Sequence, residues 1–195
     1  MAELKQNKDE FNLIDALRKM KPEEAVRLPE IVAKLTMEQR VGLLEFLENE
    51  QENPSEREKH EPRMQAVLAD VARASGLQWS SDSPLDHPFH ARLDGTLIHH
   101  GKRVAVVELE TKNRKQIDGS LLDLVTHPEP KKILVIGRSK VVPFPSQLKK
   151  EILQDVLPVL QSLLKVQADI GVFTESELRL SPNVLAQFIG LGESQ

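Results

Sequence analysis

Three charged side chains follow an apolar run in residues 106 to 112, VVELETK. They are Glu108, Glu110 and Lys112, at alternate positions. Because the side chains of a strand alternate between its two faces, an extended chain would project all three from one side. Neighbouring carboxylates repel one another and are costly to bring together unless a cation holds them. Carboxylate oxygens suit Mg²⁺ or Mn²⁺, so the pattern predicts a divalent metal site beside an ammonium group.

Asp94 is the candidate third carboxylate of this site. A strand is predicted at about residues 89 to 99, and His100, Gly101 and Lys102 are typical of a hairpin turn. If the chain turns near Gly101 or Lys102, Asp94 lies opposite Glu108 or Glu110, with Cβ atoms ~5 Å apart. Arg92 shares the strand parity of Asp94 and could neutralise the carboxylates or bind a phosphate.

Two alternatives to this site remain open. Asp-Gly is itself a strong turn signal, so a reversal at Asp94 and Gly95 would separate the aspartate from the glutamates. Glu108, Glu110 and Lys112 could also form a solvated strand end, where exposed ion pairs contribute little to stability.

The apolar periodicity predicts the elements that would position these residues. Two or three short helices are expected in an N-terminal region, 1–50, and a polar linker is expected at 51–61. The rest of the chain, 62–195, is expected to form one α/β domain. Its predicted order is helix, two or three strands, helix, strand, helix, strand. The helices are expected at 62–75, 113–126 and 147–165, and the last is expected to be kinked or split by Pro158. A weaker helix is expected at 184–189. The other strands are expected at 77–80, 131–137 and 168–173.

The sequence Asp94, a gap of 15 residues, then Glu110-Thr111-Lys112 resembles the motif of the PD-(D/E)XK nuclease superfamily. The element order from residue 62 to about 137 is similar to that family's restriction-endonuclease-like αβββαβ core. The resemblance implies an α/β fold with a mixed central sheet, here preceded by a small helical hairpin or bundle. It also implies that Asp94 and Glu110 are metal ligands, that Glu108 is a further ligand or supports one, and that Lys112 is the catalytic lysine.

The chain departs from the family pattern at two positions. Leu93 stands where the family's name has proline. An exonuclease-like subset has a glutamine on the helix after the lysine and a tyrosine four residues later; Gln116 fits the glutamine, but Ser120 stands in place of the tyrosine. Arg114, Lys115 and Gln116 follow the lysine and are candidates for contacts with a nucleic-acid backbone.

The resemblance implies a Mg²⁺- or Mn²⁺-dependent nuclease acting on DNA. A non-catalytic protein of the same fold is the alternative, acting as a subunit that binds a protein or nucleic acid. In either case the N-terminal helices could form a homodimer or bind a protein partner. A glycine-rich phosphate loop, a nucleophile elbow and a dinucleotide fingerprint are all absent from the sequence.

Composition narrows the possible classes further. With a net charge of -4, the chain has no strongly basic signature over its whole length. The lack of cysteine excludes disulfides, thiol catalysis and zinc-thiolate sites. A polar N-terminal segment and the lack of an apolar run of ~20 residues predict a soluble, cytoplasmic protein with no membrane partner.

Overall fold

The computed structural model describes residues 28–51, 60–81 and 93–191. Contacts within the chain separate two units, Met1–Gln51 and Glu52–Gln195, and each is described by itself. The predictions for residues 1–27, for most of the linker, and for the segment 82–92 that contains Arg92 lie outside the described residues.

The N-terminal unit contains two described helices, α1 (Leu28–Lys34) and α2 (Met37–Gln51). Helix α2 begins with a reciprocal cap, the capping box formed by Thr36 and Gln39. The Thr36 Oγ1 atom accepts from the Gln39 N–H at 3.2 Å, and Gln39 Oε1 accepts from the Thr36 N–H at 2.9 Å. These helices confirm the helical interpretation of the second half of the N-terminal region.

The larger unit has the element order expected of an α/β domain. Its elements are α3 (His60–Ala74), β1 (Gln78–Ser81), β2 (Gly95–His99), β3 (Lys102–Glu110), α4 (Arg114–Thr126), β4 (Lys131–Ile136), α5 (Pro145–Glu151), a π-helical segment (Ile152–Val156), α6 (Leu157–Leu164), β5 (Asp169–Thr174), α7 (Glu175–Leu180) and α8 (Val184–Ile189). The five strands lie in sequence order in one sheet. The first two pairings are antiparallel and the last two are parallel, so the predicted mixed sheet is confirmed.

Helices cover both faces of the sheet. Successive residues of the central strand β3 pack into two different clusters of buried apolar residues, one on each face. Ala105 and Val107 of β3 pack with buried residues of α3, such as Met64 and Leu68. Val106 packs with residues of α4, α6 and the π-helical segment on the opposite face, including Ile117, Leu121, Ile152 and Leu157. None of the described helices has both the length and the apolar character needed to span a membrane.

The hairpin between β2 and β3 reverses at His100 and Gly101. Their φ angles are 49° and 74°, the left-handed values that a two-residue turn of this kind requires. The predicted turn is confirmed, and the alternative reversal at Asp94 and Gly95 is wrong. Gly95 is needed for packing instead, since a Cβ there would lie 2.4 Å from the carbonyl oxygen of Ser80 on β1.

The long helix after β4 is interrupted as predicted around Pro158. Proline has no N–H to donate within a helix, and its ring crowds the preceding turn. The chain widens into the π-helical segment just before it, where the Leu157 N–H donates to the Ile152 carbonyl, five residues earlier. Helix α7, which follows β5 directly, was not predicted.

Candidate functional site

Glu108 and Glu110 lie side by side on the face of β3 that is covered by helix α4. The Ser120 hydroxyl of α4 donates to Glu110 Oε1 at 2.6 Å and lies 3.3 Å from Glu108 Oε1. One hydroxyl therefore contacts both carboxylates, which confirms that the two glutamates share a face of the strand.

Asp94 joins the glutamates through a reciprocal pair of hydrogen bonds across the hairpin. The Asp94 N–H donates to Glu108 Oε2 at 3.2 Å, and the Leu109 N–H donates to Asp94 Oδ2 at 2.7 Å. Because Gly95 pairs with Val107, Asp94 lies opposite Glu108, the first of the two predicted registers. The aspartate itself precedes β2 and is not part of the strand as predicted.

The protonation of Glu108 is strongly affected by this setting. Burial, and then the nearby charges of Asp94 and Glu110, raise the pKa of Glu108 to about 8, although hydrogen bonds from the Asp94 N–H and Ser120 oppose the change. Glu108 is therefore mostly protonated at neutral pH.

Glu110 is the most buried of the three acids, with 5% of its surface exposed. Its Oε1 atom accepts from Ser120, whereas its Oε2 atom is buried and has no hydrogen-bond partner within the described part of the chain. A buried carboxylate oxygen without a donor is costly, so a cation placed here would be strongly favoured.

Lys112 does not lie on the strand with the glutamates. Strand β3 ends at Glu110, and Lys112 is an exposed residue in the bend before α4. The expectation that three charges alternate along one strand face therefore holds for the two glutamates only. Among the described residues, the Lys112 ammonium forms no ion pair, so it remains available to a ligand.

The acids supply carboxylate oxygens, the type of ligand that Mg²⁺ and Mn²⁺ prefer. In the part of the chain that the structure describes, no group of three or more His, Asp or Glu side chains is placed to hold a metal ion. Both oxygens of Glu108 are already engaged by Asp94 and Ser120. The other acids of the cluster are Asp94, whose Oδ2 atom accepts from the Leu109 N–H, and Glu110, whose Oε2 atom has no hydrogen-bond partner among the described residues. Mg²⁺ is often held by one or two carboxylates, with water and substrate phosphates in its other positions.

The residues predicted to contact nucleic acid differ in availability. Lys115 and Gln116 are exposed in the first turn of α4. Arg114 instead forms ion pairs with Asp118 at 2.8 Å and Glu151 at 2.7 Å. Burial lowers the pKa of Arg114, but these hydrogen-bonded carboxylates outweigh it and raise the pKa above its ordinary value. Its charge is largely compensated within the protein.

Ser120 is the site residue whose role the sequence did not indicate. Two signals pointed to it: it is a serine on the apolar stripe of an amphipathic helix, and it stands four residues after Gln116, where the exonuclease-like subset has its tyrosine. Comparisons of the chain with protein-family models, with curated proteins and with solved structures found no match. The function must therefore be argued from the site itself.

Proposed function

We propose that this protein is a divalent-metal-dependent nuclease with a restriction-endonuclease-like core, and that it hydrolyses phosphodiester bonds in DNA. The observation that carries the proposal is the buried Oε2 atom of Glu110, which has no hydrogen-bond partner among the described residues and lies beside two further acids, two residues before an exposed lysine. A divalent cation would compensate the negative charge of this cluster.

In the proposed site Asp94 and Glu110 hold Mg²⁺ or Mn²⁺. Glu108 assists by holding Asp94 in place through the Asp94 N–H. The metal, when bound, acts as a Lewis acid toward the phosphate and lowers the pKa of water. Lys112, in the bend after β3, stabilises the negative charge that develops on the phosphate. Lys115 and Gln116, exposed in the first turn of α4, bind the DNA backbone.

The order and pairing of the elements support this proposal. From His60 to Ile136 the chain runs helix, three strands, helix, strand, and the third strand is antiparallel to the second and parallel to the fourth. The acids lie toward the end of β3, and the lysine lies between β3 and α4. This is the placement that the resemblance to PD-(D/E)XK nucleases implies for Asp94, Glu110 and Lys112.

Cleavage assays on plasmid, single-stranded and branched DNA, and on RNA, test the proposal. We expect the wild type to cleave at least one DNA substrate only when Mg²⁺ or Mn²⁺ is present. Lys112→Ala should lose ~10²-fold or more in rate, the usual loss when a group that stabilises developing charge is removed. Lys102→Ala is the matched control, since Lys102 is also exposed but lies at the opposite end of β3, and its rate should equal that of the wild type.

Metal binding tests the site separately from catalysis. Mn²⁺ titrated into the wild type by calorimetry should bind, and Asp94→Ala should abolish or strongly weaken that binding. An Asp94→Ala variant that binds Mn²⁺ like the wild type would exclude this site. No metal-dependent cleavage of any substrate would exclude the enzymatic function.

A non-catalytic subunit that binds another protein is the second candidate. Helix α6 favours it, because Val159 and Leu163 are 54% and 73% exposed and lie one helical turn apart. Exposed aliphatic patches of this kind often mark contact surfaces. Absence of both cleavage and Mn²⁺ binding in the wild type would favour this candidate.

A further inference from the structure

Ser120 is unusual on its face of helix α4. The other buried residues of that helix are aliphatic, namely Ile117, Leu121, Leu124 and Val125. Serine inside a helix commonly bonds a carbonyl of its own helix, about four residues earlier. The Ser120 hydroxyl instead bonds to two glutamates of β3. Helix packing alone would be served as well by alanine, so the hydroxyl has a different role.

The bond from Ser120 to Glu110 determines which carboxylate oxygen remains open. At 2.6 Å it lies at the short end of the range for hydrogen bonds from hydroxyl groups, which indicates a strong contact. Both residues are buried, at 6% and 5% exposure, so water competes little for either group. The bond satisfies Oε1 and leaves Oε2 as a buried oxygen that no described residue contacts by a hydrogen bond.

We propose that Ser120 is a positioning residue for a divalent cation, because its hydroxyl fixes the Glu110 carboxylate with Oε2 directed to the ion. The inference rests on the proposed function, in which Glu110 is a metal ligand. The terminal torsion of a glutamate is broad, so without this bond the carboxylate can rotate. A rotated carboxylate must be reordered each time an ion binds, which weakens binding.

The second contact of Ser120 extends its role to the rest of the site. Its oxygen also lies 3.3 Å from Glu108 Oε1, and Glu108 in turn accepts from the Asp94 N–H. One side chain of α4 therefore connects Glu110 with the hairpin residues that place Asp94. Partners that orient metal ligands in this way typically change metal affinity ~10–100-fold when they are removed.

Calorimetric titration of Mn²⁺ into the full chain tests this role. Ser120→Ala should weaken Mn²⁺ binding by ~10-fold or more, and Ser120→Thr, which keeps the hydroxyl, should restore most of the affinity. Gly119→Ala is the matched control: it adds one methyl group at the neighbouring exposed position, and no atom lies within 4 Å of the new Cβ. Its Mn²⁺ affinity should equal that of the wild type.

The possible failures can be told apart. Thermal unfolding without metal shows which variants fold, and Mn²⁺ affinities are compared only among folded variants. If Ser120→Thr does not fold, the comparison of Ser120→Ala with Gly119→Ala decides whether Ser120 positions the carboxylate. If Ser120→Ala binds Mn²⁺ as tightly as the wild type while Asp94→Ala does not, the positioning role is wrong and the proposed function stands. If the wild type binds no Mn²⁺, or Asp94→Ala binds it unchanged, the proposed function itself is overturned and this role with it.

Discussion

Replacement of Glu108 by glutamine should stabilise the metal-free protein at neutral pH. The unfolded Glu108 releases its proton near the ordinary pKa of 4.5, but burial and the charges of Asp94 and Glu110 keep the folded carboxyl protonated up to about pH 8. Between these values the folded state binds a proton that the unfolded state does not. Raising the pH through this window therefore destabilises the folded wild type.

The size of the effect follows from the two pKa values. The difference between the folded pKa of about 8 and the unfolded pKa of 4.5 lowers the free energy of unfolding of the wild type. The loss is ~5 kcal/mol above pH 8, ~3 kcal/mol at pH 7 and less than ~1 kcal/mol at pH 5. Glutamine mimics the protonated acid: its carbonyl can accept from the Asp94 N–H, and its amide can donate to Ser120. The free energy of unfolding of Glu108→Gln should therefore exceed that of the wild type by up to these amounts.

Urea unfolding in the presence of EDTA at pH 5, 7 and 8 measures this prediction. The advantage of Glu108→Gln over the wild type should grow steadily across the three pH values. Glu30→Gln, at an exposed position of α1, controls for the loss of one negative charge and should show no such trend. An equal difference at pH 5 and pH 8, or a variant less stable than the wild type at pH 8, would refute the account of Glu108.

Substitutions at three other positions, Gly137, Gly119 and Thr174, test packing and helix capping in the larger unit. Gly137→Ala should destabilise the fold by ~1–3 kcal/mol, because a Cβ there would lie 2.2 Å from Met64 Sδ in the core; urea unfolding measures this. Gly119→Ala should instead stabilise the fold by ~0.5–1 kcal/mol in the same assay, since the position is helical and open. An equal change in stability in the Gly137→Ala and Gly119→Ala variants would contradict the packing argument. Thr174→Ala should lower the stability by ~1 kcal/mol or more, because Thr174 Oγ1 accepts from the Glu177 N–H to cap α7. Thr174→Ser keeps a hydroxyl and should retain most of that stability. A thermal melt in which the serine variant loses as much stability as the alanine variant would contradict the capping role.

Local patterns predicted much of the fold correctly. The hairpin turn at His100 and Gly101 and the start of α4 after Asn113 each depend on residues a few positions apart, so the sequence displays them directly. Helix α7 also has such a signal, a capping box formed by Thr174 and Glu177, but at six residues the helix shows too little periodicity to be predicted.

The sequence by itself predicted that Glu108 and Glu110 share a strand face and, if the chain turns near Gly101, that Asp94 lies across the hairpin from Glu108 or Glu110. Both follow from the period of a strand and the position of a turn. Only the tertiary structure decided the contacts that give these acids their properties. Ser120 reaches both glutamates only because α4 packs on that face of the sheet, and Arg114 is neutralised by Glu151, 37 residues away. Burial, which sets the protonation of Glu108, exists only once the layers pack together, and no local pattern of residues records it.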